Sequence, residues 1–318
     1  MKLITPVQLP EAGLELRPAS RCMAMGSCFA EHVGSLIAES GLQTDVNPFG
    51  VLYNPESIRT SLSILMYGQY DEKHIFKGRD GLWHSWMHSG AFSAASKEEV
   101  KKKIWERLQG SAANLKTTDL LLITFGTNRA YRLRDNELSD DEKKNVVANC
   151  HKEPASRFEE IELRHDEIAE SWLKTLELLP SHTRVVFTVS PYRYAKYGFH
   201  ESQLAKATLL LAIDHICRRY KNATYFPAYE IVVDELRDYR FYDADMLHPS
   251  PQAVDYVWER FKEWTFAPDT FTFAREWEAA TKLLCHRPLH KDDEVAKELH
   301  RRASEKLNEL RKKWHLYT

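Results

Sequence analysis

The chain has 318 residues, 43% of them hydrophobic and 28% charged, with a formal net charge of -2. That length suits a sizeable core, and the balanced charge excludes wholesale nucleic-acid binding. No stretch approaches a membrane span, and the five cysteines are scattered without Cys-x-x-Cys spacing.

The first residues, "MKLITPVQLPEAGLELRP", lack the long apolar core of a secretory signal. The expected setting is a reducing cytoplasm, with no structural disulfide, metal, cofactor or membrane partner. "RCMAMGSC" is a short apolar run that ends in small residues and predicts a buried strand. In "FAEHVGSLIAESG", Phe29, Val33, Leu36 and Ile37 recur at helical spacing, and Gly41 stops the helix. "QTDVNPFGVLYNP" predicts a second strand and a turn-rich loop. Asn54 then caps a helix with Pro55 at its first position, continued by Ile58, Ser61, Leu62 and Leu65.

Residues 70–95 are rich in aromatics, His and Gly and read as an insertion or hairpin. A charged helix is expected from about Lys97 to Gln109, and "DLLLITFG" is the clearest buried strand. Residues 133–156 are polar and irregular. An amphipathic helix is expected from about Arg157 to Leu178. "RVVFTVSP" then predicts a strand, "SQLAKATLLLAIDHICRRY" a helix, and "ATYFPAYEIVVDEL" a last strand and a turn. This alternation predicts a three-layer α/β domain over residues 1–266, with a parallel sheet covered by helices on both faces. Residues 267–318 read as a C-terminal helical extension of two charged helices joined at Pro288. Its apolar stripe of Leu299, Ala303, Leu307 and Leu310 is expected to pack on the body or to form a homodimer.

Ligands of such sheets sit beyond the carboxyl ends of the strands. Those ends carry Gly26-Ser27-Cys28, Gly126-Thr127-Asn128, Ser190-Pro191 and the segment leading to Asp245. Asp245 stands three residues before His248, so its carboxylate can fold back and hold the imidazole in one tautomer. Asn128 can donate to an oxyanion, and Gly50 can aim a backbone N–H at it. Cys28 at a strand-to-helix junction gains from the positive helix terminus, which favours a thiolate and an alkylation profile below that of a free thiol. Each has a plainer reading: a capped surface turn, an Asn closing a turn, an ordinary loop Gly, a buried thiol.

The order nucleophile, Gly, G-x-N, D-x-x-H resembles the SGNH, or GDSL-like, hydrolases. More closely, "GSCFAEHVG", "NPFGVLYNP", "FGTNRAY", "NCHK", "TVSPYR" and "DMLHPS" resemble the GSCFA family over roughly residues 15–265. The superfamily resemblance implies a flavodoxin-like α/β/α fold and ester hydrolysis or acyl transfer through a covalent acyl-enzyme. Laying G-D-S-F on G-S-C-F without a gap puts Cys28 at the nucleophile position and Ser27 at the Asp position. Choosing Ser27 instead needs a one-residue shift, which on a strand turns the side chain to the opposite face. Cys28 is therefore favoured, with Ser27 as the alternative.

In this scheme His248, oriented by Asp245, activates Cys28, and the N–H groups of Cys28 and Gly50 with the Asn128 amide hold the oxyanion. A thioester intermediate suits transfer from an acyl ester or thioester to a sugar hydroxyl as well as hydrolysis. Tyr53, Arg129, Tyr131 and Arg193 are expected to contact a charged or carbohydrate substrate. A metal site is not expected, because Cys150 and His151 are adjacent and His84 and His88 lie in a stretch of period-two character. The alternative is a non-catalytic module on the same fold that binds a carbohydrate or acyl group, with Cys28 inert and Asp245 and His248 a structural pair.

Overall fold

The computed structural model describes residues 4–134, 146–285 and 294–316. In chain order its strands are β1 (Arg21–Gly26), β2 (Gln43–Val46), β3 (Ile75–Lys77), β4 (Trp83–Ser85), β5 (Leu120–Phe125), β6 (Arg129–Leu133), β7 (Val146–Val147), β8 (Phe158–Glu162), β9 (Arg184–Val189) and β10 (Ala223–Tyr225). The longer helices are α1 (Cys28–Glu39), α2 (Pro55–Tyr67), α3 (Lys97–Leu115), α4 (His165–Leu176), α5 (Phe199–Arg219), α6 (Pro251–Thr265), α7 (Pro268–Cys285) and α8 (Glu294–Lys313).

The main sheet runs β10-β9-β5-β1-β2, and every pairing in it is parallel. Counted by chain position, this is the 2-1-3-4-5 order of flavodoxin-like doubly wound sheets. Its switch point falls between β1 and β5. The strands are apolar on both faces because both faces are covered. Met23, Met25, Leu121, Ile123, Phe125 and Phe187 pack with α2, α3, α4 and α5. Cys22, Ala24, Leu120, Leu122 and Val186 pack with α1, α6 and α7.

Local signals act as read. The Asn54 side chain accepts from the Ser57 N–H at 2.8 Å, with Pro55 opening α2. Ser250 caps α6, accepting from the Ala253 N–H. The C-terminal stripe packs inside the chain: Ala303, Leu307 and Leu310 are buried, whereas Leu299 is exposed. The face expected to join two copies is thus largely covered. Phe273, Trp277, Leu307 and Leu310 share one apolar layer with Phe29 and Phe261. Pro288 and residues 135–145 lie outside the described residues. Among the described residues, no helix is long and apolar enough to cross a membrane.

Four segments differ from the sequence expectation. The helix expected from Arg157 begins at His165, because 158–162 form β8 on the small antiparallel sheet β7-β6-β8. There Glu162 faces Arg129 and Glu159 faces Arg132, so cross-strand charge pairing outweighs helix propensity. The polar stretch after Leu133 contains a short buried strand, β7. Helix α3 continues past Gln109 to Leu115. After β10 the chain forms a helical turn, Ala228–Glu230, and a π-helix, Ile231–Leu236, whose Ile231 and Val232 are buried; it is not a simple turn.

Residues 70–95 hold the β3–β4 hairpin. His88 follows it, buried and stacked on Phe49 at 4.5 Å. Ser85 Oγ bonds both His88 Nδ1 and the Tyr70 hydroxyl, each at 2.8 Å. Burial, aided by His74 and His151, holds the His88 pKa down to about 3. A histidine in the unfolded chain titrates near 6.5. The unfolded protein therefore takes up a proton that the folded protein refuses. Stability is expected to fall as pH drops below about 6.5, by about 1.4 kcal/mol per pH unit, until the folded-state pKa is reached. His88→Phe keeps the ring stack and should remove that slope from unfolding free energies measured across the acid range. Parallel curves for the two proteins would refute this.

Candidate functional site

The carboxyl end of β1 is bent sharply at Gly26, whose φ is +138°. Its N–H donates to Asn47 Oδ1 at 2.9 Å, and its carbonyl accepts from the Leu52 N–H at 2.8 Å. This fixes the next two residues. Ser27 is buried, and its Oγ accepts from the Phe29 N–H at 3.3 Å as the N-cap of α1. Cys28 is the first helical residue and is partly exposed. The two nucleophiles therefore have different surroundings: the serine oxygen caps the helix, while the cysteine sulfur sits over its N-terminus.

A cavity of about 370 Å³ opens at this junction. Ser27, Cys28, Tyr53, Gly126, Thr127, Ser190, Tyr192 and Tyr194 line it, together with Arg129, Tyr131 and the segment Val147–Cys150. The cavity thus lies at the switch point, among the ends of β1, β5 and β9, with a largely apolar and aromatic lining. Tyr53 lines it as expected, and its backbone carbonyl accepts from the N–H groups of Gly126 and Thr127.

Burial raises the Cys28 pKa above that of a free thiol. The amides of Phe29 and of Cys28 itself oppose that rise, Glu31 adds to it, and Lys206 opposes it more weakly. The helix terminus acts in the expected direction, but desolvation is larger. This direction is opposite to the lowered profile expected of a catalytic Cys28.

Asp245 and His248 are brought together as their spacing suggests. His248 Nδ1 lies 2.5 Å from Asp245 Oδ2, and Asp245 Oδ1 accepts from the N–H groups of His248 and Leu247. These bonds, the His248 amide first, hold the Asp245 pKa down to about 2. The pair lies on the loop after the π-helix rather than at a strand end. His248 lines a neighbouring cleft with His32, Glu39 and Asp255. Its ring packs 4.4 Å from that of Tyr192, which lines the Cys28 cavity. Among the described residues, no hydrogen bond joins His248 to Cys28.

The other expected site residues have other partners. The Gly50 N–H is spent on the Asn47 carbonyl at 2.8 Å, so it is not an oxyanion donor. With φ +76° and room for no Cβ against Ser89, Gly50 instead lets residue 89 approach the loop. Asn128 is buried, does not line the cavity, and donates from Nδ2 to the Leu163 carbonyl at 3.2 Å. Arg129 lines the cavity but pairs with Glu162 and Glu201, which neutralise it as an anion site. The Tyr131 hydroxyl is bonded to Glu160, Tyr197 and Lys196. Arg193 donates to the Met246 carbonyl at 2.9 Å and lies over the rings of Phe199, Tyr239 and Tyr242. It holds the Asp245–His248 loop and is not set to receive a substrate anion.

Sequence reasoning passed over Lys206, Tyr192 and Tyr194. Lys206 stands on the apolar stripe of α5 between Ser202 and Leu209, and a lysine in such a stripe is the signal that marks it. Cys150 also lines the cavity; burial pushes its thiol up to about 11, and Lys196 pulls it the other way. His84 bonds Ser93 and Asp80, and His151 Nε2 donates to the Ser85 carbonyl. Among the described residues, no group of three or more His, Cys, Asp or Glu is placed to hold a metal ion.

Comparison with known proteins finds that a family model, described as the GSCFA family, matches residues 21–261. No curated protein matches the chain.

Proposed function

The chain belongs to the GSCFA family, and we propose that it is an SGNH-like acyl-ester hydrolase or acyltransferase working through an acyl group on Cys28. One observation carries the reading: the Cys28 sulfur heads α1 and opens into an apolar, aromatic cavity at the switch point of the sheet. The thiolate attacks the acyl carbonyl, the S–C bond forms, and the leaving alkoxide or thiolate departs with a proton. The Cys28 amide, which faces the sulfur, is the donor for the developing oxyanion, whereas the Phe29 N–H is held by the Ser27 cap. Of the three donors expected it is the one left for this role, because the Gly50 N–H and the Asn128 amide are bonded elsewhere.

His248, standing beyond Tyr192 with Asp245 behind it, acts at the edge of the cavity. It protonates the leaving group and then takes a proton from the water or hydroxyl that resolves the thioester. The tyrosine-rich lining suits an acyl chain or the flat face of a sugar ring. Arg129 is already neutralised by carboxylates, so the substrate is uncharged where it meets that wall. Five unpaired cysteines fit a reducing cytoplasm.

A second reading has its own support. The raised Cys28 thiol and the placement of His248 in a separate cleft favour a module that binds an acyl group or carbohydrate without turning it over. Mass spectrometry with peptide mapping, after brief exposure to activated esters and acyl thioesters, separates the two. An adduct on Cys28, absent from Cys28→Ala, is the expected result. An adduct on Ser27 would transfer the nucleophile to the serine. No adduct at either residue, even in a slowed His248→Ala variant, would leave the binding module.

A further inference from the structure

Lys206 is 2% exposed, on the buried stripe of α5. Its Nζ donates to the carbonyls of Gly126 and Ser190, each at 2.7 Å. Those residues follow β5 and β9, and both line the Cys28 cavity. Among the described residues, no carboxylate pairs with Lys206. An ammonium offers three N–H donors, and here two carbonyls receive two of them; the Tyr229 ring, 5.9 Å away, is a weak third partner. A buried cation without a counter-charge is strongly disfavoured. The group able to supply that charge is the Cys28 sulfur, which interacts with the Lys206 charge.

We infer that Lys206 is a positioning residue for the nucleophile: it braces the two strand ends that frame the cavity, and its positive charge balances the Cys28 thiolate. The inference rests on Cys28 as the nucleophile of the proposed function. Burial brings the Lys206 pKa down to about 7, and Cys28 pulls it back up. Near neutral pH both the amine and the ammonium are therefore populated. When the sulfur loses a proton and Nζ gains one, the buried pair keeps the same net charge. Other groups facing the pair are Glu31 on α1, which opposes the thiolate, and the phenols of Tyr53 and Tyr192, whose pKa values burial raises so that they stay neutral. The Asp245–His248 pair lies beyond Tyr192.

The test is the pH dependence of Cys28 alkylation by iodoacetamide, followed by peptide mapping. Lys206→Gln keeps two N–H donors without the charge, and Lys206→Met keeps neither. Both variants are expected to shift the midpoint upward and to alkylate Cys28 several-fold more slowly near neutral pH. A Gln variant that reacts like the wild type would reduce Lys206 to a brace and overturn the inference. If neither variant folds, NMR titration of the Lys206 side chain in the wild type and in Cys28→Ala decides it. The Lys206 midpoint should fall when Cys28 is removed, and an unchanged midpoint would overturn the inference. Because these measurements read thiol and amine chemistry, they can succeed where no acyl donor labels the protein, which separates this inference from the proposed activity.

Discussion

Gly26→Ala is expected to take away a large part of the stability of the fold. A Cβ at this position would lie 2.2 Å from the Thr124 carbonyl oxygen and 3.0 Å from the Thr124 carbonyl carbon and amide nitrogen. These are backbone atoms of β5, the middle strand of the five, and Gly26 is paired with Thr124 in register. Relief would require β1 and β5 to part. The φ of +138° adds strain that side-chain-bearing residues rarely adopt. Together these effects should cost at least about 4 kcal/mol, against a typical total stability of about 5–15 kcal/mol. Chemical denaturation checks this directly, and a midpoint equal to the wild type's would show that β1 and β5 can separate cheaply.

His248→Ala is expected to lower turnover of any acyl donor that labels Cys28 by about 10²–10⁴-fold, the usual contribution of a general acid–base group. Stability should change little, because the His248 side chain is 48% exposed and its hydrogen-bond partner is the equally exposed Asp245. If His248 serves the resolving step, the Cys28 thioester should also accumulate in the variant and be visible by mass. Turnover within a factor of two of the wild type would remove His248 from the scheme. The Asp245 contacts would then be those of a structural turn.

The site was legible where a residue's role depends on its immediate neighbours in the chain. Asp245 and His248 close on one another across a single turn, and Ser27-Cys28 meet the start of α1 as the apolar runs on either side dictate. Asn54 and Ser250 cap the helices that their following prolines open. Roles that depend on distant partners were not legible. The Gly50 N–H and the Asn128 amide are consumed by Asn47 and Leu163, and no pattern in "NPFG" or "FGTN" specifies those bonds. Arg129 looked like a contact for a charged or carbohydrate substrate until β8 brought Glu162 opposite it, and β8 itself was read as helix.

The sequence by itself determined the alternation of apolar strands and amphipathic helices. It also determined the two-sided burial of the sheet and the gathering of Cys28, Gly126 and Ser190 at the strand ends, because periodicity and caps are local properties. Only the tertiary structure decided the rest. It set β1 beside β5, turned Tyr192 between the Cys28 cavity and His248, and seated Lys206 beneath two strand-end carbonyls. It also decided the balance at the sulfur, where burial outweighs the helix terminus. Desolvation is a sum over everything packed around an atom, and segments distant in the chain make most of that packing.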